Sequence, residues 1–259
     1  MTATRIHPAA HVDERAHLGV GVHVGPGAVI GPDVRIGART EIGSHVLVTG
    51  RTTLGADCVV HHGAAVGGPP QDLKYAGAPS YLVVGDHTVI REFATLHVAT
   101  EPEGTTRVGS HCLIMAYAHV AHDCVVGDRV ILANAVQMAG VVTVEDWAIV
   151  GGATVIHQFV RIGRHSMIGG GSRIAQDVAP YTKTAGSPPR NAGINTIGLE
   201  RRGFSREAIA ALERAYRIVY RQGLTAADAV ARLRAELAGV PEVEHLARFI
   251  ETSVRGITR

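Results

Sequence analysis

From Ile6 onward, nearly every sixth residue is aliphatic. The series runs without a miss to Val66, fails at Asp72 and Ala78, and returns in the same phase at Val84, Ile90 and Leu96. It fails again at Pro102 and then holds from Val108 to Ile174, so that, counting Met138, 26 of 29 positions fit. A period of six is neither the 3.6 of a helix nor the alternation of a long strand. It is also too short for a repeat built from paired helices, and suits a short strand followed by a turn. The residue after the aliphatic one is often Gly, as at Gly19, Gly37, Gly109 and Gly151. Such a Gly is expected to accept the backbone angles of the turn. The residue two before is small or β-branched, as at Ala28, Val34, Thr40 and Cys58. Three such units close a triangular coil, and stacked coils bury one column of aliphatic and small side chains.

Composition agrees with a thin core. Aromatic residues make up only 4% of the chain, while Gly occurs 31 times. The net charge of +2 gives no reason to expect a nucleic acid or membrane partner. Lys74 and Lys183 are the only lysines. Cys58, Cys112 and Cys124 all fall at the small inward position and form no CxxC pair. They read as buried apolar residues without a redox or metal role. No long apolar run marks a signal peptide or a transmembrane helix near residue 1, which makes a cytoplasmic protein the expectation.

The interruptions divide the chain. Residues 68–81 and 99–106 read as loops inserted into a coil that spans residues 1–180, and loops on a rigid stack are natural places for binding groups. Residues 181–259 read as a crossing segment followed by a helical domain of three helices. Ser205 caps the first, Thr225 and Asp228 form a capping box for the second, and Pro241 opens the third. Gly223, Gly239 and Gly256 end them.

Fifteen histidines are too many to be functional throughout, and most fall at turns or on outward faces. His97 and His157 stand where the repeat prefers Gly. His119 and His122, with Asp123 beside the latter, cluster within one turn of the coil. A neutral imidazole is a suitable base near neutral pH, and an adjacent carboxylate fixes its tautomer. From spacing alone, the cluster also fits solvated turn residues or part of a metal site.

The segments QDLKYAG (71–77), HVAHDC (119–124), GGATVIHQF (151–159), AQDV (175–178) and ERRGFSREAI (200–209) occur in an order that resembles the UDP-N-acetylglucosamine 3-O-acyltransferases. These are hexapeptide-repeat enzymes that open lipid A synthesis. The resemblance covers nearly the whole chain and implies a left-handed parallel β-helix, mainly β, with a C-terminal α-helical domain. It implies transfer of a fatty acyl chain, of the 3-hydroxy type, from the phosphopantetheine thioester of acyl carrier protein to the sugar 3-hydroxyl. No further cofactor and no metal are expected. His122 matches the general base, Asp123 its orienting partner, and Gly140 the place of a backbone N–H that meets the oxyanion. Asp72, Lys74, His119, His157 and Gln158 match residues lining the sugar-nucleotide pocket. Asn195, Arg201 and Arg202 match residues that hold the nucleotide and diphosphate, and Gly170 matches the acyl-length ruler. The family forms homotrimers with sites between subunits. Arg161, Arg164 and Arg173 offer a basic surface for the acidic carrier.

Three positions depart from the family pattern: Val141 and Pro188 stand in place of histidines, and Ile197 in place of a carboxylate. They admit an acceptor bearing a 3-amino group, acylated on nitrogen. Three other readings stand beside this one. A zinc enzyme of the γ-carbonic anhydrase type would use His119 and His122 but lacks this loop and tail. A non-catalytic β-helix scaffold gives no reason for the loops. The N-acyltransferase that acts later in the same pathway carries an extra N-terminal domain, whereas here the repeat starts at Ile6.

Overall fold

The computed structural model describes residues 3–259. Residues 5–174 form a left-handed parallel β-helix of triangular section, whose three faces are three parallel sheets. Most strands are only two residues long, Ile131–Leu132 being typical. Successive strands fall on successive faces, so a chain segment returns to the same face after one coil. Ile114 pairs with Leu132, Val120 with Met138 and Val126 with Val144, so a regular coil is three hexapeptides long. Polar contacts between coils keep the same step, as from Ser110 to Asp128 and from Asp128 to Asp146.

The two breaks in the repeat are insertions at one corner of the prism. Val60 pairs with Ile90, five hexapeptides further on, and Ile90 pairs with Ile114, four further on. The first insertion therefore adds two hexapeptide lengths to a regular coil and the second adds one. Because both are whole multiples of the repeat, the phase survives. The aliphatic column points inward and is almost fully buried from Ile30 to Ile174, with Val22, Ala28, Val34, Thr40 and Cys58 filling the corners beside it.

The glycines after the aliphatic residues have a different cause from the one the turn chemistry suggests. Except at Gly67, which borders the first insertion, their φ angles are not left-handed; the left-handed residue lies two positions later, as at Arg39, His111 and Arg129. What excludes a side chain is the next coil. A Cβ on Gly37 would come within 2.5 Å of Ala56 N, and one on Gly25 within 3.0 Å of the Gly43 carbonyl carbon. Gly thus permits the close stacking of corners. The cysteines sit inside as expected. Their thiols point at carbonyls of the following coil, Cys112 Sγ lying 3.1 Å from Gly127 O. Burial pushes the Cys124 thiol up to about 12.

Beyond the coil, the crossing segment forms an antiparallel hairpin, Thr182–Gly186 with Pro189–Ile194, which extends one face. Four helices follow, one more than expected: α1 (Thr196–Arg201), α2 (Arg206–Arg221), α3 (Ala226–Glu236) and α4 (Pro241–Glu251). The six residues of α1 are too few to show a periodic stripe. Ser205 and Thr225 cap α2 and α3 through the N–H groups of Ala208 and Asp228, and Pro241 stands at the start of α4. Buried Asp177 fastens the tail to the last coil. Its carboxylate accepts from Arg161 N–H at 2.8 Å and from the Ser253 hydroxyl at 2.7 Å. Among the described residues no helix is long and apolar enough to cross a membrane.

Candidate active site

The corner that carries both insertions also carries a vertical file of polar residues. His122, Gly140 and Gln158 occupy the same turn position in three successive coils, as the pairing of the strands beside them requires. An open cleft of about 700 Å³ runs along this corner. Its walls include Asp72 and Lys74 from the first inserted loop, His119, Gln137 and Val155 from the adjoining face, and His122, Gly140 and Gln158 from the corner.

His122 is held from one side only. Its Nδ1 lies 2.8 Å from Asp123 Oδ2, and since the carboxylate accepts, Nδ1 bears the proton and Nε2 carries the lone pair. The side chains of His122 and Asp123 are 17% and 20% exposed, so the pair is shielded and Nε2 opens on the cleft. Asp72 Oδ2 stands 4.0 Å from Nε2, too far for a direct hydrogen bond. The imidazole lies against Gly140, where no side chain intervenes. Gly140 N–H makes no backbone hydrogen bond among the described residues.

His119 is a different kind of group. Its Nδ1 is 2.7 Å from the Thr95 hydroxyl, and its ring packs edge-on to His97 at 5.0 Å. Burial, together with the neighbouring His97 and His122, pulls its pKa down to about 4. His119 is therefore a neutral donor or acceptor at physiological pH. His97 Nδ1–H donates to Pro69 O at 2.6 Å, tying the base of the first loop to the coil. Within that loop, Asp72 Oδ1 accepts Lys74 N–H at 2.9 Å. No Asp72–Lys74 ion pair forms among the described residues. Lys74 is exposed and lines the cleft.

Of the remaining expected site residues, all but His157 lie elsewhere on the prism. His157 is exposed at the same corner, its Nδ1 3.1 Å from Gln158 O. Gly170 is on a second corner, where its Cβ position faces Gly152 O at 3.0 Å. Asn195, Arg201 and Arg202 flank a third. Asn195 is buried and donates to His165 O at 2.9 Å, and the Arg202 guanidinium lies over Trp147 at 5.1 Å. Arg201 is exposed at the end of α1. A single chain brings neither Gly170 nor Asn195, Arg201 and Arg202 to His122. Of the three arginines expected to dock a carrier, Arg161 and Arg164 are engaged internally, with Thr252 and Phe249 and with Asp146 respectively. Arg173 alone of the three is exposed.

Gln137 and Thr95 were not singled out in the sequence, yet both touch the site. Gln137 lies one regular coil after His119 and pairs with it in register, so counting hexapeptides alone locates it. Thr95 also pairs with His119, but the second insertion lengthens the coil between them and hides the relation.

Among the described residues no group of three or more His, Cys, Asp or Glu side chains is arranged to hold a metal ion.

Comparison with known proteins places this geometry in context. The tail, residues 177–258, matches the model of the second domain of UDP-N-acetylglucosamine O-acyltransferases. Residues 15–50 and 105–140 match the bacterial transferase hexapeptide model. The acyl-[acyl-carrier-protein]–UDP-N-acetylglucosamine O-acyltransferase of Burkholderia lata is 51% identical over 99% of this chain and all of its own length. The structure of LpxA from Acinetobacter baumannii superposes with a TM-score of 0.96 at 43% identity, covering 98% of this chain and 99% of that one. The UDP-N-acetylglucosamine acyltransferase of Francisella novicida gives 0.95 at 37% identity, over 98% and 94% of the two chains. The chain belongs to the acyl-[acyl-carrier-protein]–UDP-N-acetylglucosamine O-acyltransferase family.

Proposed function

We propose that this protein transfers an acyl chain from acyl carrier protein to the 3-hydroxyl of UDP-N-acetylglucosamine, opening lipid A synthesis, with His122 as general base. The observation that carries the assignment is the line Asp123–His122–cleft. The carboxylate fixes the Nδ1–H tautomer at 2.8 Å and leaves the Nε2 lone pair facing the cavity. Nε2 takes the hydroxyl proton as the sugar oxygen attacks the thioester carbonyl carbon. The oxyanion forms beside the Gly140 N–H. On collapse the C–S bond breaks, and the imidazolium returns its proton to the departing phosphopantetheine thiolate. The thioester supplies the leaving group, so no cofactor enters the step. Positioned proton transfer of this kind contributes roughly 10²–10⁴-fold.

Asp72, Lys74, His119, His157 and Gln158 hold the sugar in this reading. Asn195, Arg201 and Arg202, whose guanidinium groups suit a diphosphate, and Gly170 on the acyl path reach the cleft from a neighbouring copy in a homotrimer. Two features support assembly. On one face the outward positions Val59, Val89, Leu113, Ile131, Ile149 and Met167 stack in register as an apolar column. Leu73, at the tip of the first loop, is fully exposed in the single chain. We assign the protein to the cytoplasm, where both substrates are soluble.

The test is His122→Ala assayed with acyl carrier protein thioester and UDP-N-acetylglucosamine. A kcat lowered by about 10²–10⁴-fold in a folded protein is expected; wild-type turnover would remove the assignment.

A further inference from the structure

The second inserted loop contributes no residue to the cleft wall, yet it makes the closest contacts to the residue behind the base. Thr100 Oγ1 lies 2.6 Å from Asp123 Oδ2, the same oxygen that accepts from His122 Nδ1. Thr100 N–H reaches both carboxylate oxygens, at 3.3 and 3.2 Å. At the far end of the loop, Thr106 Oγ1 accepts the backbone N–H of Asp123 at 2.8 Å. The two ends of one insertion thus grip one residue, the first by its carboxylate and the second by its backbone.

The same loop also holds the first insertion. Glu103 N–H donates to Pro79 O at 2.7 Å, Tyr81 N–H to Gly104 O at 2.9 Å, and the Ser80 hydroxyl to Ala99 O. Tyr81 OH donates to Glu103 at 2.8 Å.

We infer that Thr100 is a positioning residue for the transfer reaction. Its hydroxyl and N–H fix the rotation of the Asp123 carboxylate, so that Oδ2 stays in line with His122 Nδ1 and Nε2 stays aimed at the acceptor hydroxyl. The inference rests on the reading of His122 as base. The physical reason is that Asp123 sits at a corner, at a left-handed φ of 59°, with its side chain 20% exposed. Its carboxylate has one bond to His122 and would otherwise turn about χ2, a broad torsion with little intrinsic preference. Three donors from two residues leave it a single orientation. Second contacts of this kind decide whether a reacting group is held closely enough to act, and a misplacement of about 1 Å costs on the order of 10²-fold.

Thr100→Val removes the hydroxyl at constant shape. We expect kcat to fall roughly tenfold or more, with the KM for UDP-N-acetylglucosamine within about twofold, because the cleft wall is untouched. Thr100→Ser restores kcat. Since the residue acts only through Asp123, Thr100→Val in an Asp123→Asn background costs nothing further. A role confined to loop folding would instead add its cost in both backgrounds and raise KM as Asp72 and Lys74 shift. Thr100→Ala, checked by circular dichroism and melting, serves if the valine variant misfolds. Wild-type kcat in both Thr100→Val and Thr100→Ala, or equal losses with and without the Asp123 carboxylate, overturns the inference. Its failure is separable from that of the base assignment: if His122→Ala is active the base reading falls, whereas if His122→Ala is inactive and the Thr100 variants are normal only the positioning role falls.

Discussion

Gly140 lies directly beneath the imidazole of His122, one coil further along. A Cβ placed on it would run into Cε1 and Nε2 and come within 2.9 Å of Nδ1. The backbone of Gly140 has no left-handed φ, so the requirement for Gly comes from the ring alone. Gly140→Ala must therefore displace the His122 ring. We expect kcat to drop by on the order of 10²-fold, with the fold retained as judged by a cooperative melt. An alanine variant with unchanged kcat would show that the ring position is not what matters.

Two histidines set a pH dependence of stability. His119 is lowered from 6.5 to about 4, by burial first and then by His97 and His122. His165 is lowered to about 4 by burial, Arg202 and Arg164. The folded pKa lies below the unfolded value in both. Between pH 6.5 and 4 the unfolded chain therefore binds protons that the folded chain refuses. Stability is fully present above that window and falls as pH drops through it. His165 is enclosed by Trp147, Tyr181 and Phe204, so His165→Phe fits the site and cannot titrate. Melting temperature measured from pH 6.5 down to about 5 should decline less steeply in His165→Phe than in the wild type, and equal slopes would contradict the assignment.

If neighbouring copies complete each cleft, two inactive variants can rescue each other. His122→Ala disables one corner and Arg202→Ala another. Unfolded together and refolded as a mixture, they should regain activity that neither shows alone. Ile131→Glu, in the apolar column, should lower the sedimentation mass and abolish activity together. A monomeric and fully active Ile131→Glu would refute the shared site.

Val141 is β-branched, 39% exposed and held at φ 61°, a conformation that costs such residues of order 1–2 kcal/mol. Asn accepts that region more readily. Val141→Asn should raise the unfolding free energy by about 1 kcal/mol in a denaturant titration, and a loss of stability would mean that the valine side chain makes contacts worth more than the strain.

The coil was legible in the sequence because its signal is arithmetic. A period of six survives any side-chain substitution that keeps its aliphatic column, and the in-phase return at Val84 marked the first insertion. The dyad of His122 and Asp123 was legible for a related reason: the corner position has no structural need of polar groups. Less of the rest could be read. The glycines looked like turn formers, and only the stacking distance, as at Gly37 against Ala56, reveals that they are spacers. The hairpin at 182–194 and the short α1 carry too few residues for a period. Thr100 gave no sign of its contact with Asp123, because an insertion has no register. The separation of Gly170 and Asn195 from His122 is a matter of which corner each occupies, and motif order along a chain does not record corners.

The constancy of the coil from Thr105 to Ile174 has a practical meaning. Over this stretch a residue number is a coordinate. Its place within the three-hexapeptide coil gives the bearing around the axis, and each whole coil advances by one inter-strand spacing, about 4.8 Å. Gly170 therefore lies about 13 Å further along the axis than His122, at a bearing two-thirds of a turn away. Moving a functional group by a whole coil slides it one step along the cleft without rotating it, while moving it by a single hexapeptide carries it to another face. A chain built this way can be re-addressed by counting.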